Sequence, residues 1–335
     1  MAELWQRAMI SLARSGRARG FAERQAWLAG LAARFTGGPE TGAAIAAARA
    51  LRAEGISASL FFLGEYIEDS AIVEATTGQL AGVAGALAAA GLDVSVSADP
   101  TQLGLMHSEA ACEPNLRQVA AAITAACQPE PQPGRDALTL DMEDSTTTAV
   151  TLGLHDRLRA AGLPVAVTVQ AYLHRSPGDL DHLARSGAWV RLVKGAFAEP
   201  AAIAATRRAE ITRRYLRGAL TLLSPQSRQA GCYPSFATHD QRLITVIITA
   251  ARDRGWAPDQ YEFEMLHGVR PDLQRALARQ GHRIRAYLPF GTDWFPYAIR
   301  RIGESPRNAR FALTAITRPH AAISGPAWQD LTPRR

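Results

Sequence analysis

Eight short apolar runs, each followed by enough chain for a helix, constrain this sequence more than any other feature. They are Ile56–Leu63, Leu92–Ala98, Ala137–Met142, Pro164–Leu173, Ala188–Val193, Gly231–Ala237, Tyr261–Leu266 and His282–Leu288. Short runs of this character, bounded by turn residues, read as strands buried on both faces. Between them lie 70–90, 107–127, 146–161, 178–186, 199–224, 240–254 and 271–280, all long enough for helices. Strands and helices alternating eight times is the count that closes a (β/α)8 barrel of the α/β class. The competing architecture is an open doubly wound sheet, but no G-x-G-x-x-G follows any of the runs.

A length of 335 residues accommodates one such barrel with additions at its ends. Residues 1–36 carry apolar residues at helical intervals and are closed by Gly37-Gly38-Pro39; residues 40–54 read as a further helix. The expected organisation is therefore an N-terminal helical segment over 1–54, a barrel over 55–320 and a tail over 321–335. The formal net charge of +6 comes from scattered arginines, the densest groups being Arg14-Arg17-Arg19, Arg207-Arg208-Arg213-Arg214 and Arg334-Arg335. None is the long basic run with interleaved aromatics of a nucleic-acid arm, although a basic face is compatible with transient contact to an anionic membrane. Cys112, Cys127 and Cys232 lack metal-ligand spacing and read as reduced thiols. The start lacks a signal-peptide pattern, and the longest nearly uncharged apolar run, Leu80 to Leu92, is too short to span a bilayer. These features give the expectation of a soluble cytoplasmic protein.

A barrel places chemistry at the C-terminal ends of its strands. Polar residues do follow the apolar runs: Gly64-Glu65, Asp99, Asp141 to Ser145, Gln170, Arg191 with Lys194-Gly195, Thr238-His239-Asp240, Glu264 with His267, and Tyr287. Each alone is as readily a cap or turn residue, Asp144 and Asp240 above all. Together they describe a polar-rimmed pocket. After the eighth run, Tyr297, Arg300, Arg301 and Glu304 stand at i, i+3, i+4 and i+7, which puts them on one helical face. Asp293 suits the N-cap of that helix and Pro296 its first turn. Paired arginines beside a tyrosine make a receptor for a small carboxylate, or else a solvated charged face.

Six motifs occur in order: Leu140-Asp141-Met142-Glu143-Asp144-Ser145, Val169-Gln170-Ala171-Tyr172-Leu173, Arg191-Leu192-Val193-Lys194-Gly195-Ala196, Phe236-Ala237-Thr238-His239-Asp240, Tyr261 to Gly268, and Tyr297-x-x-Arg300-Arg301-x-x-Glu304. Over residues 56 to 310 the chain closely resembles the proline dehydrogenase family, and in length it looks like the stand-alone bacterial members. The resemblance implies a distorted (β/α)8 TIM barrel with FAD lying across the C-terminal strand ends. It assigns Gln170 and Arg191 to the isoalloxazine, and Lys194, Gly195, Ala196, Thr238 and His239 to the rest of the cofactor. Met142 would back the flavin and Glu264 would line its site. On the substrate side it gives the L-proline carboxylate to Arg300 and Arg301, ordered by Tyr297 and Glu304, with Leu266 and Tyr287 against the ring. Asp141 falls near the substrate nitrogen, as a base or as an electrostatic anchor. The implied reaction is hydride transfer from proline to flavin N5, giving Δ1-pyrroline-5-carboxylate, with electrons passed to membrane quinone and the product to a pyrroline-5-carboxylate dehydrogenase. For Arg191 the purely structural alternative is a strand-end salt bridge with Asp141 or Glu143; for His239 it is a turn cap.

Two departures from the family pattern stand out. Registering on Thr101-Gln102-Leu103-Gly104 puts Asp99 where the family carries a lysine near flavin and substrate, and Phe197 stands where it usually has tyrosine. Either Asp99 turns outward, with compensation elsewhere, or substrate handling differs. The alternatives to proline oxidation are thus a flavin barrel acting on a related cyclic amino acid, such as hydroxyproline or pipecolate, and a catalytically silent relative acting as a binding protein.

Overall fold

All eight apolar runs become strands buried along nearly their whole length, as a parallel sheet covered by helices requires. The computed structural model describes residues 34–295 and Tyr297. The strands are β1 (Ser57–Phe62), β2 (Ser95–Ala98), β3 (Ala137–Leu140), β4 (Val165–Gln170), β5 (Trp189–Val193), β6 (Tyr233–Ala237), β7 (Glu262–Leu266) and β8 (Ile284–Phe290). Each pairs in parallel with the next, and β8 pairs back onto β1 (Ser57 opposite Arg285, Phe62 opposite Phe290), so the sheet closes as a barrel. The helices are α1 (Thr41–Ala53), α2 (Ser70–Ala89), α3 (Glu109–Ala126), α4 (Thr148–Ala160), α5 (Ser176–Ser186), α6 (Arg208–Leu222), α7 (Pro225–Gln229), α8 (Gln241–Asp253) and α9 (Pro271–Arg279).

Local chemistry explains several helix starts. Asp69 accepts from Ala71 N at 2.8 Å to open α2, Ser108 from Ala111 N at 3.1 Å to open α3, and Asp240 from Arg242 N at 3.1 Å to open α8. Each helix then buries one stripe against the sheet. In α8 that stripe is Leu243, Ile244, Ile247 and Ala251, and each large member contributes about 1.5–3 kcal/mol of transfer free energy. By length and composition α2 is apolar enough to cross a bilayer, more so than the shorter run seen in the sequence. Its buried residues Val73, Thr76, Leu80, Val83 and Leu87 recur at helical spacing and supply a core-facing stripe.

Two expected spans are shorter in the structure. Residues 199–207 are not helical: Pro200 disfavours helix at the residue before it, Ala204 bridges to Leu173, and Arg207 is extended. β4 stops at Gln170, because the chain turns there and Leu173 N donates back to Gln170 O. The 3-10 turn Pro100–Leu103 and the short α7 were not foreseen.

By packing, Gly37–Gly291 is one compact unit, and it includes α1. The described residues outside it are 34–36, 292–295 and Tyr297. Helix begins after Asp293 as expected, with Trp294, Phe295 and Tyr297 helical. Arg300, Arg301 and Glu304 lie outside the described residues, as do most of the segment 1–54 and the whole tail 321–335.

Candidate functional site

The barrel interior is not the apolar stack usual for this architecture. It holds two buried arginines, each between two carboxylates, one toward each end. Toward the N-terminal end, Arg285 of β8 is fully buried and donates through Nε to both oxygens of Glu262, at 3.0 and 3.1 Å. Its Nη2 reaches Asp93 at 3.5 Å and Gly134 O at 2.8 Å, and its Nη1 reaches Ala58 O at 3.1 Å. Its guanidinium also lies over the Trp189 ring, at 5.6 Å. Every charged group there is met by protein, which marks a structural plug.

Toward the C-terminal end, Arg191 of β5 repeats the arrangement. Its Nη1 donates to Asp141 Oδ1 at 2.5 Å and its Nε to Glu264 Oε2 at 2.7 Å. Its Nη2 donates to Ser97 Oγ at 2.9 Å and reaches Ser59 Oγ at 3.5 Å. Burial works against the cation, but Glu264 and Asp141 outweigh it and raise the guanidinium pKa. Thr168 Oγ1 and Tyr287 Oη complete the shell of Asp141, each at 2.9 Å, and Ser235 Oγ donates to Glu264 Oε2 at 3.1 Å. Burial pushes the Asp141 carboxyl above its ordinary range despite these donors. Tyr287 is fixed from both sides, stacked on Phe61 at 5.4 Å and beneath the Arg191 guanidinium at 5.3 Å.

One atom breaks the symmetry between the two ends. Glu264 Oε1 is buried and has no hydrogen-bond partner among the described residues, whereas both oxygens of Glu262 are engaged. A buried acceptor without a donor costs roughly 1–3 kcal/mol. A donor brought to that atom would relieve this cost.

The other sequence-derived residues surround this cluster. Gln170 is buried at the end of β4; its Nε2 donates to Glu143 O at 2.7 Å and its Oε1 accepts from Ala196 N at 3.3 Å. Gly195 has φ +115°, and a Cβ there would sit 2.2 Å from the Tyr172 ring, so the glycine is demanded by its own backbone and by that neighbour. Lys194 Nζ pairs with Asp240 at 3.4 Å. Thr238 is buried, its N–H donating to Glu264 O at 3.2 Å and its Oγ1 accepting from Asp240 N at 3.2 Å. His239 Nε2 accepts from Leu266 N at 3.0 Å, tying the β6 loop to β7. Met142 is buried next to Asp141.

Asp99 does not turn outward. It is buried at the N-cap of the turn Pro100–Leu103, its N–H held by Gln102 Oε1 at 3.0 Å. Its side chain and that of Gln102 form a reciprocal capping box on that turn. Arg191 does pair with Asp141, one of the two partners its structural alternative named, and its second partner is Glu264. Glu143 instead accepts from Thr101 Oγ1 at 2.6 Å and Thr101 N at 3.1 Å. Burial, opposed by these bonds and reinforced by Glu65 and Asp144, pushes its carboxyl up to about 7. Sequence reasoning missed Ser59, Ser97, Thr168 and Ser235. Their signal was present: small hydroxyls at alternate positions inside otherwise apolar strands.

Comparison with known proteins agrees with this geometry. The proline dehydrogenase family profile matches residues 44–313. A proline dehydrogenase of Deinococcus radiodurans is 34% identical over 316 residues, covering 94% of this chain and 98% of that protein. Proline dehydrogenase 1 of Bacillus subtilis is 33% identical over 286 residues, covering 85% of this chain and 90% of that one. Among solved structures, proline utilization A from Bdellovibrio bacteriovorus, inactivated by N-propargylglycine, superposes with a TM-score of 0.74 at 22% identity, over 92% of this chain but only 36% of that longer one. The barrel, the ordered strand-end residues and the extent of these matches place the chain in the proline dehydrogenase family.

Proposed function

We propose that this protein oxidises L-proline to Δ1-pyrroline-5-carboxylate with FAD as its cofactor, as the first step of proline catabolism toward glutamate. Its catalytic part would be the barrel over 55–320, carrying the helical segment 1–54 and the tail 321–335. The observation that carries this reading is the Arg191 cluster, with its buried and unsatisfied Glu264 Oε1, lying among the strand-end residues that match the family. The fit to a flavin is physical as well as positional: an isoalloxazine carries a ring N–H able to satisfy that acceptor, and Arg191 offers a permanent cation beside it.

When bound, FAD supplies the hydride acceptor, through flavin N5. The chain's own residues do the rest. Gln170, Arg191 and Glu264 would border the ring system, with Met142 behind it. Lys194, Gly195, Ala196, Thr238 and His239 would hold the remainder of the cofactor. Arg300 and Arg301, ordered by Tyr297 and Glu304, would clamp the proline carboxylate; Leu266 and Tyr287 would pack against its ring. Proline must react as its neutral amine, the ammonium proton having been given up to solvent before hydride leaves the adjacent carbon, because a protonated nitrogen has no lone pair for the forming C=N bond. Asp141 already accepts from Arg191, Thr168 and Tyr287. Three donors occupy most of the roughly four acceptor positions of a carboxylate. Asp141 therefore acts here as the anchor that orients Arg191 and Tyr287 and offers one remaining position to the substrate N–H. Electrons would pass to a quinone, the protein visiting the membrane surface transiently from the cytoplasm, and the product to a pyrroline-5-carboxylate dehydrogenase.

A buried Asp99 in place of the family lysine, together with Phe197, favours a second reading, a related cyclic amino acid as substrate. Anaerobic addition of amino acids to the purified yellow protein separates the two. L-Proline is expected to bleach the flavin band. Bleaching by hydroxyproline or pipecolate alone would transfer the assignment to that substrate, and a colourless protein that takes up no FAD would remove the enzymatic reading altogether.

A further inference from the structure

Arg191 is the permanent cation nearest the strand-end cluster, and the usual expectation is that such a cation favours the reduced, negatively charged flavin. In this chain its charge is heavily spent. Asp141 holds one side at 2.5 Å and Glu264 the other at 2.7 Å. With both carboxylates ionised the triad carries one net negative charge. Ser97 takes a further N–H at 2.9 Å and Ser59 approaches at 3.5 Å, so little donor capacity is left for a cofactor.

The two carboxylates differ in how fully they are themselves compensated. Asp141 receives three donors: Arg191, Thr168 and Tyr287. Glu264 receives Arg191 and Ser235, both on Oε2, and its Oε1 has no partner among the described residues. The side chain is nine-tenths or more buried, so water does not screen that oxygen. The comparable carboxylate at the other end of the barrel, Glu262, has both oxygens on Arg285. Glu264 is thus the least compensated charge of the Arg191 cluster.

Resting on the flavin reading above, we infer that Glu264 is a positioning residue that sets the reduction potential of the bound flavin, holding it low by cancelling the charge of Arg191. Two electrons and a proton arriving on the flavin create an anion beside a triad in which Glu264, added to Asp141, already outweighs the single charge of Arg191. That repulsion disfavours the reduced form and makes it a stronger reductant toward its acceptor. The other groups facing the cluster, Ser59 on β1, Ser97 on β2, Asp141 after β3, Thr168 on β4, Ser235 on β6 and Tyr287 on β8, add no second cation among the described residues of the barrel.

The test is the flavin midpoint potential of the holoenzyme at fixed pH, measured by anaerobic dye-coupled titration in wild type, Glu264→Gln and Ser235→Ala. Glu264→Gln keeps the shape and an acceptor for Arg191 but deletes the charge. It is expected to favour the reduced flavin by at least tenfold in the two-electron equilibrium, a rise of about 30 mV. Ser235→Ala removes a neutral hydrogen bond to the same oxygen and keeps both charges, so its potential is expected to stay with the wild type. An unchanged or lowered potential in Glu264→Gln would overturn the inference. So would an equal rise in Ser235→Ala, which would trace the effect to geometry rather than charge. If the protein binds no flavin at all, the proposed function fails first. If it binds flavin and L-proline bleaches it while Glu264→Gln leaves the potential in place, only this inference fails.

Discussion

Glu143 shows how a single buried carboxyl at this site makes stability depend on pH. Its two oxygens are held by Thr101, yet burial and the nearby Glu65 and Asp144 keep its pKa at about 7, from an ordinary 4.5. Between those values the folded chain keeps a proton that the unfolded chain has already lost. Stability therefore falls as pH rises from about 4.5 to about 7, and the loss is complete above that range. The span corresponds to about 3 kcal/mol. Urea midpoints at pH 5 and pH 8 are expected to differ clearly in wild type and much less in Glu143→Gln, whose side chain cannot titrate; equal differences in both proteins would assign the slope to other groups. At this scale the sequence was a partial guide. Asp141 and Arg191 were recognisable from their motifs. The pairing of Arg191 with Glu264, 73 positions later in the chain, was not, because barrel closure and not sequence proximity brings β5 and β7 side chains together.

At the scale of elements, the eight strands and the helices after them were legible because burial on both faces leaves long apolar signatures, and because Asp240 stands as a cap where a helix opens. The loop after β5 was less so. The resemblance assigned its glycine to the cofactor, and the structure adds a local reason for it: Gly195 has φ +115° and the Tyr172 ring packs against it. Tyr172 Oη in turn donates to Phe197 O at 3.1 Å, so strand end and loop brace one another. Gly195→Ala is expected to cost roughly 1–3 kcal/mol through the strained backbone alone, and more where the ring must move. A denaturant midpoint indistinguishable from wild type would show that this loop relaxes freely. Residues 199–207 belong to a stretch long enough for helix, and Pro200 with the Leu173–Ala204 bridge decides otherwise.

The whole barrel carries one arginine-centred layer toward each end, and the difference between them is what supports the proposed placement of the site. Arg285 is enclosed by Glu262, Asp93 and two backbone carbonyls. Arg191 sits among groups that include an unsatisfied carboxylate oxygen, beside the strand ends where this architecture does chemistry. The central claim is that the planar donors of Arg191 hold together the cluster against which a bound flavin would accept hydride. Single-turnover reduction of the bound flavin by L-proline, followed anaerobically in wild type and Arg191→Lys, tests it most directly. Lysine keeps a cation between Asp141 and Glu264, so folding is preserved, but it loses the planar array of donors. Reduction is expected to slow by at least about a hundredfold, and a rate equal to wild type would contradict the account.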